Sequence, residues 1–548
     1  QLLKKKRKAM TKARLQWSFS FLVILWSTVL FSQDKLNIEK VGQLSYNKGL
    51  NDIWGYTDAA GKEFALVGLE SGVSIVDIST PSTPVERTRI SGPETIWRDL
   101  KTWSHYAYVV HDIVSTGNLI PDQGLLIIDL DSLENPHYRE VRLKVDLDTI
   151  VDSLRSAHNL YIDENGICYI FGSNVAKGGA LIVDVAKDPW NPEYLGIFND
   201  YYLHDGMARG DTLWGGAVYA GFFAAIDVSN KSNPRVINTG FTPSLFTHNC
   251  WISDDGNTLF TTDERTDAFV ASYDVSDVGV GVRNLDKIQR LPGTEAVPHN
   301  VHVYKDWLVT SYYSTGLQII NAKRPNLLVE VGYYDTYPQD NGANFNGNWG
   351  AYPYFPSGLV AASDRQNGLF ILQPDYKDVA YADFQVSDSL TGELLFNTDL
   401  YFSKESDTLK TNLLAKASKA VTYTGFDTVR VNVEGYQPRT IAFKYIEGHS
   451  QAVPIRLLKN GFKRPISGDF IIYPNPVLSE GFNIAWPDAV VGEKVTLEVY
   501  SNMGQKVSSQ EIIISPENEF DAPKSSGVYF VKLTGSSQSF STQKILVL

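Results

Sequence analysis

The sequence predicts an all-β chain: a seven-bladed β-propeller followed by two small β-sandwich domains. Three observations predict it. One pattern recurs through residues 36–373 at intervals of about 45 to 60 residues, long enough for the four short strands of a propeller blade. The composition suits sheets and turns, with 29 Tyr, 26 Phe and 11 Trp beside 42 Gly and 24 Pro. After Pro374 the period stops, and shorter strand-like runs follow. With 548 residues, 43% of them hydrophobic, the chain can fill several cores. A formal net charge of -13 argues against the basic surface that a nucleic-acid partner requires. Two cysteines exclude a disulfide scaffold or a cysteine-rich zinc fold.

Residues 1–32 read as a secretory signal peptide. Seven Lys/Arg and no acid occupy residues 4–14, and an apolar run follows from Trp17 to Phe31. That run is shorter than the roughly 20 residues of a membrane-spanning helix, so no transmembrane segment is expected in the mature chain. Loss of the leader removes seven of the 49 basic residues and leaves 42 against 62 acidic ones, a net of -20.

Residues 33–375 read as the propeller. Each repeat closes on an apolar strand, and these are Gly72 to Asp77, Gly124 to Asp129, Gly179 to Asp184, Phe223 to Asp227, Val270 to Asp274, Gly316 to Asn321 and Gly368 to Leu372. The first six are followed by a further strand, such as Val85 to Ile90, whereas the seventh runs into Pro374. Leu36 to Ser45 has the character of the missing strand, which predicts that the N-terminal segment completes blade seven and abolishes an exposed sheet edge. The closing strands, with Asp-φ-Ser-x-Pro after the first, resemble LVIVD-repeat propellers. Residues 36–373, above all Trp349-Gly-Ala-Tyr-Pro-Tyr-Phe-Pro-Ser-Gly358 and Ala362-Ser-Asp364-Arg-Gln-Asn-Gly-Leu-Phe-Ile371, resemble the choice-of-anchor B family of secreted bacterial proteins. The resemblance implies a fold and a surface location, and no activity.

Residues 376–460 read as a β-sandwich spacer. Ala382 to Asp388, the Thr391-Gly392 turn and Gly435-Tyr436 resemble the transthyretin-like, carboxypeptidase-regulatory-like module of secreted proteins. In residues 461–548, Ile471-Ile-Tyr-Pro-Asn-Pro476, Val495 to Val507, Ser526 to Leu533 and Lys544 to Leu548 resemble, in order and spacing, the type IX secretion C-terminal sorting domain. That resemblance implies a Bacteroidota-like source, the type IX machinery as a partner, and a product that is secreted, extracellular or attached to the outer-membrane surface.

Chemistry, if present, belongs to the polar pair that opens each repeat: Asn51-Asp52, Arg98-Asp99, His158-Asn159, His204-Asp205, His248-Asn249, His299-Asn300 and Asn348-Trp349. The first strand of each blade lines the central channel, so one position per repeat forms a ring of side chains there. His158, His204, His248 and His299 are therefore candidate ligands for a transition metal such as iron, copper or zinc. Asp263, Glu264 and Asp364 are placed to orient them, and His302 is a further candidate. The oxygens of Asp52, Asp99, Asn159, Asp205, Asn249 and Asn300 form a channel ring that suits Ca²⁺. The same residues read equally as a structural ring satisfying backbone groups of neighbouring blades, or as a water-filled ligand mouth. Cys168 and Cys250 lie in the third and fifth repeats, too far apart for a disulfide. Strand alternation points Cys250 along with His248, as a thiolate ligand or as a small buried hydrophobe. The aromatics Tyr312, Tyr313, Tyr333, Tyr334, Tyr337, Trp349, Tyr352, Tyr354 and Phe355 suit a sugar or peptide platform, and equally packing between blades.

No nucleophile elbow, His-Glu-x-x-His or phosphate loop is present. The expectation is a binding or adhesion module for an extracellular protein or glycan, with no confident cofactor. The competing class is a metal-dependent hydrolase or oxidase built on the histidines.

Overall fold

The computed structural model describes residues 34–113, 123–147, 151–340, 342–461, 470–478, 481–486, 491–515, 517–535 and 540–548. The leader expected over residues 1–32 lies outside them. Among the described residues, seven antiparallel sheets follow one another in chain order as blades, and no helix occurs. Their innermost strands are Leu50–Thr57, Arg98–Trp103, Asn159–Ile162, Gly206–Arg209, Thr247–Ile252, Val301–Tyr304 and Asn348–Tyr352.

Burial explains why the closing strands are apolar without alternation. Each is the third strand of its blade, sandwiched between neighbouring blades, so both faces are covered; Gly72–Asp77 is buried throughout. The outer strand Val85–Ser91 has only one covered face and alternates. The recurring Asp-φ-Ser is a local turn device. Asp77 accepts from the backbone N–H of Ser79, Asp184 from Ala186, Asp227 from Ser229 and Asp274 from Ser276, all within 2.9–3.2 Å. An Asp side chain that bonds two residues onward starts the turn into the outer strand.

The N-terminal segment closes the ring. Ile38–Leu44 pairs antiparallel with Gly368–Pro374 as the outer strand of blade 7, from Ile38 against Pro374 to Leu44 against Leu369. Just before it, Lys35–Leu36 adds a fifth strand to blade 6 against Tyr334 and Tyr333. The chain steps from one blade to the next at Asn37, whose φ is 52° and whose side-chain amide donates to the Val331 carbonyl at 2.7 Å.

Beyond the ring, one sheet of Lys416–Val421, Ala380–Asp388 and Ser450–Leu457 faces another of Thr408–Lys410, Asp399–Phe402, Gly425–Val431 and Arg439–Tyr445. Phe384, Phe402 and Phe443 fill the space between them. This sandwich is fastened beneath blade 6. Arg324 forks onto Asp383 at 2.9 and 3.1 Å and lies over Tyr381, and the Trp307 indole N–H donates to the Lys377 carbonyl. The last sandwich is built around Ile471–Leu478, antiparallel to Gly481–Ala485 on one side and parallel to the final strand Gln543–Val547 on the other. Phe482, Trp486 and Phe520 sit in its core.

Ile38 is 1% exposed and packs with Val309, Ile319 and Leu372. Ile38→Ala should lower the propeller's stability by about 2–5 kcal/mol in denaturant unfolding. Val85→Ala, on the exposed outer strand of blade 1, should change it by under about 0.5 kcal/mol.

Candidate functional site at the channel mouth

An ordinary strand sends successive side chains to opposite faces, so a pair of neighbours cannot both face the axis. A bulge removes that limit. In blade 4 the His204 N–H donates to the Gly216 carbonyl and the Gly216 N–H donates to the Asp205 carbonyl, both at 2.8 Å, so two residues oppose one. Ser311 stands in the same relation to His299 and Asn300. The register also shifts between Thr247 and Asn249, Leu50 and Ile53, and Asn348 and Gly350. Gly216 must be glycine, because a Cβ there would lie 2.6 Å from the His248 carbonyl oxygen.

The result is three layers down the axis. At the mouth, four imidazoles from consecutive blades stand ring to ring. Centroids are 4.0 Å apart for His158 and His204, 4.3 Å for His204 and His248, and 4.5 Å for His248 and His299. Trp97 and Trp349 flank the arc, 6.4 Å from His158 and 4.8 Å from His299. Two positions differ from expectation. Blade 2 has no bulge, since Arg98 pairs regularly with His111 and Asp99 with Val110, and the Arg98 guanidinium turns aside to the carbonyls of Leu69 and Pro93. In blade 7 the bulge advances the pair by one residue. Trp349 and Gly350 take the places expected for Asn348 and Trp349, and the Asn348 side chain bonds the Gly350 and Ser363 carbonyls.

The second layer is the ring of Asp52, Asp99, Asn159, Asp205, Asn249 and Asn300, and it carries its own cation. The Lys101 ammonium lies 2.5 Å from Asp99 and 3.2 Å from Asp52, and the Asn159 amide donates to the other Asp99 oxygen at 2.5 Å. Gly350 makes room, since a Cβ there would lie 2.5 Å from an Asp52 oxygen. Two carboxylates of the ring expected to suit Ca²⁺ thus hold an ammonium, and Asp205 faces the histidines. Below, His302, Trp54, Trp251 and Tyr354 close the channel, with His302 4.6 Å from Trp251.

The histidines have carboxylate and carbonyl partners. His158 Nδ1 meets Asp112 at 3.1 Å, His204 Nδ1 meets Asp205 at 2.9 Å, and His299 Nδ1 donates to the Trp349 carbonyl at 2.5 Å. These contacts leave each ring's Nε2 as its unassigned nitrogen. His248 differs: its Nδ1 is buried without a hydrogen-bond partner, 3.8 Å from Asp205, and its Nε2 faces Glu264 at 3.7 Å. Glu264 also lies 3.9 Å from His299 Nε2 and accepts from the Tyr313 hydroxyl at 2.6 Å. Burial and neighbouring imidazoles hold His158 and His248 below the usual imidazole range, and burial takes His299 to about 3. Burial opposes charge on His204 too, but Asp205 outweighs it and raises His204. Asp205 in turn is driven below the carboxylate range, because His248 and His204 overcome its burial. Along the arc, burial thus favours the neutral form at His158, His248 and His299, while Asp205 favours the protonated form at His204.

Of the other candidates, Glu264 reaches the site, whereas Asp263 turns to Thr242 and the backbone of Ser244 and Phe246, and Asp364 caps Gln366 and Asn367. Cys250 lies in the hydrophobic core beside Met207 and Val301, because the bulge breaks the alternation that would align it with His248. Cys168 is likewise a free, buried core thiol. The aromatic run divides: Tyr313 and Trp349 join the mouth, Tyr352 and Tyr354 the channel floor, and Tyr312, Tyr334 and Phe355 the packing between strands. Asp112, Trp97 and Lys101 are site residues that the sequence reading does not name, and Tyr313 enters it only as a platform aromatic, not as the partner of Glu264. Only Lys101 left a signal, lying two residues after Asp99 on one strand.

The class defined by fold and sequence is an exported β-propeller protein. Residues 61–91 match the LVIVD repeat, and residues 471–548 match the secretion system C-terminal sorting domain, which marks the chain for type IX export to the cell surface or the extracellular space. No curated protein matches the chain. Among solved structures it is similar to the β-propeller domain of Myceliophteria thermophila Cps50 (Swd1), at 13% identity and a TM-score of 0.43, over 62% of this chain and 100% of that one. Among the described residues, no helix is long and apolar enough to cross a membrane.

Two outcomes follow from the channel. Lys101→Met leaves Asp52 and Asp99 unpaired and should cost about 3–5 kcal/mol in chemical denaturation at neutral pH. Asp99 is already raised by burial against the pull of Lys101, so the deficit should shrink as acid protonates it. His302 is lowered from 6.5 to about 3 by burial and by Lys101. Its neutral form is favoured on folding, so that stability is complete above pH 6.5 and is lost as pH falls toward 3, by up to roughly 1.4 kcal/mol per unit. His302→Phe should flatten the denaturant midpoint against pH across that window.

Proposed function

We propose that the protein is an exported binding module that holds an extracellular glycan or protein over the mouth of its propeller. The observation that carries this reading is an aromatic rim stepping outward from the histidine arc. Tyr202 lies 6.4 Å from His204, and Tyr219, 79% exposed, packs on Tyr202 at 5.0 Å. Tyr313 lies 4.6 Å from His299, and Phe345, 51% exposed, packs edge-on against Tyr313 at 5.2 Å. Exposed rings around a polar concavity suit the flat face of a sugar or an apolar peptide side chain. Among the described residues, Trp54, Trp251 and Tyr354 close the channel toward the lower face.

The resemblance to the choice-of-anchor B family supports display at the outer surface after type IX export, as does the sorting domain. A net charge of -13 over the whole sequence, and -20 without the expected leader, favours a neutral or basic ligand over an anionic one. A metal-dependent enzyme is the second reading, favoured by the buried, unbonded Nδ1 of His248 beside Glu264.

The purified chain should retain a ligand on a glycan or extracellular-protein array. Tyr219→Ala and Phe345→Ala should each weaken that binding by about tenfold or more, without moving the thermal midpoint. No retention on either array, or full retention by both variants, would refute the reading.

A further inference from the structure

We propose that the channel mouth is a divalent transition-metal site, with His204, His248 and Glu264 as its protein ligands and the remaining coordination positions turned toward the open face. Each of the three brings one ligand atom to within 4.8 Å of the other two. His248 Nε2 and the facing Glu264 oxygen are 3.7 Å apart. That is too long for a hydrogen bond, yet close to the separation of about 3.3 Å that two ligands adopt on one tetrahedral ion.

A second observation is the condition of His248. The residue is 2% exposed, its Nδ1 has no hydrogen-bond partner, and its other nitrogen points at a carboxylate it does not reach. Within the arc of four it is alone in this condition, although His111 and His302 elsewhere in the ring also keep buried nitrogens without hydrogen-bond partners. An ion between Nε2 and Glu264 would use the first nitrogen and fix the proton on Nδ1, 3.8 Å from Asp205.

The supporting shell has the form that ligating residues need. Asp205 meets His204 at Nδ1, which leaves Nε2 for the ion, and the Tyr313 hydroxyl donates to Glu264. Tyr313 is held at φ 36°, a left-handed conformation unfavourable for a bulky residue, and its phenol reaches Glu264 from there. Two imidazoles and one carboxylate with open positions suit Zn²⁺ or Fe²⁺ rather than Ca²⁺ or Mg²⁺.

The proposal goes beyond ligand binding at the rim and is read without any polymer, so either can fail alone. The full chain, stripped with a chelator and dialysed, is titrated with Zn²⁺ by calorimetry and with Co²⁺ by visible absorption. The expected result is one equivalent of Zn²⁺ and a Co²⁺ spectrum of low coordination number. His248→Ala and Glu264→Gln should each weaken Zn²⁺ binding by at least roughly 100-fold, and Tyr313→Phe by about tenfold. His105→Ala, in the separate, half-buried cluster with Asp129 and Asp131, should change nothing. Less than one equivalent on the parent chain overturns the proposal whatever the variants do. So does unchanged affinity in Glu264→Gln and His248→Ala chains that keep the parent's thermal midpoint.

Discussion

The hydrogen bonds between Ile38–Leu44 and Gly368–Pro374 are the constraint on which the rest of the propeller depends. Blades are sheets that twist, and a row of them leaves a raw edge at each end unless the last is completed by the first segment of the chain. Once the ring is closed, its innermost strands have no choice of neighbour. They converge on one axis, and whatever their first residues carry is forced together. Four imidazoles that lie 44 to 51 residues apart along the chain thereby become a single stack.

That crowding has an electrostatic cost, which the channel meets layer by layer. Charged imidazoles at van der Waals spacing repel one another, and burial disfavours charge on His158, His248 and His299 while Asp205 favours it on His204. One layer down, carboxylates would repel one another, and Lys101 stands between Asp52 and Asp99. A paired buried charge of this kind adds little net stability, but it fixes how the strands meet at the axis. Below it the channel turns to aromatic rings and needs no charge.

The sequence shows most plainly what is both local and repeated. The Asp of each closing strand is legible because its work, starting a turn two residues later, needs no distant partner. Ring closure is legible from a strand missing at one end and spare at the other. The histidines are legible because four blades repeat them at one place. What stays hidden is aperiodic. Glu264 could be suspected, but Asp112, and the pairing of Tyr313 with Glu264, come from loops after second strands and are brought in by the ring alone. The seventh pair is misread by one residue because a bulge leaves no mark in the spelling. Cys250 is misplaced for the same reason, since strict alternation is what a bulge suspends.

The first sandwich grips the ring through Arg324, Trp307 and Asn321, at the ends of strands remote from the histidines. Strand direction alone therefore gives the molecule a front and a back. The histidine-lined mouth therefore opens on the face of the ring opposite the first sandwich, which that domain leaves uncovered.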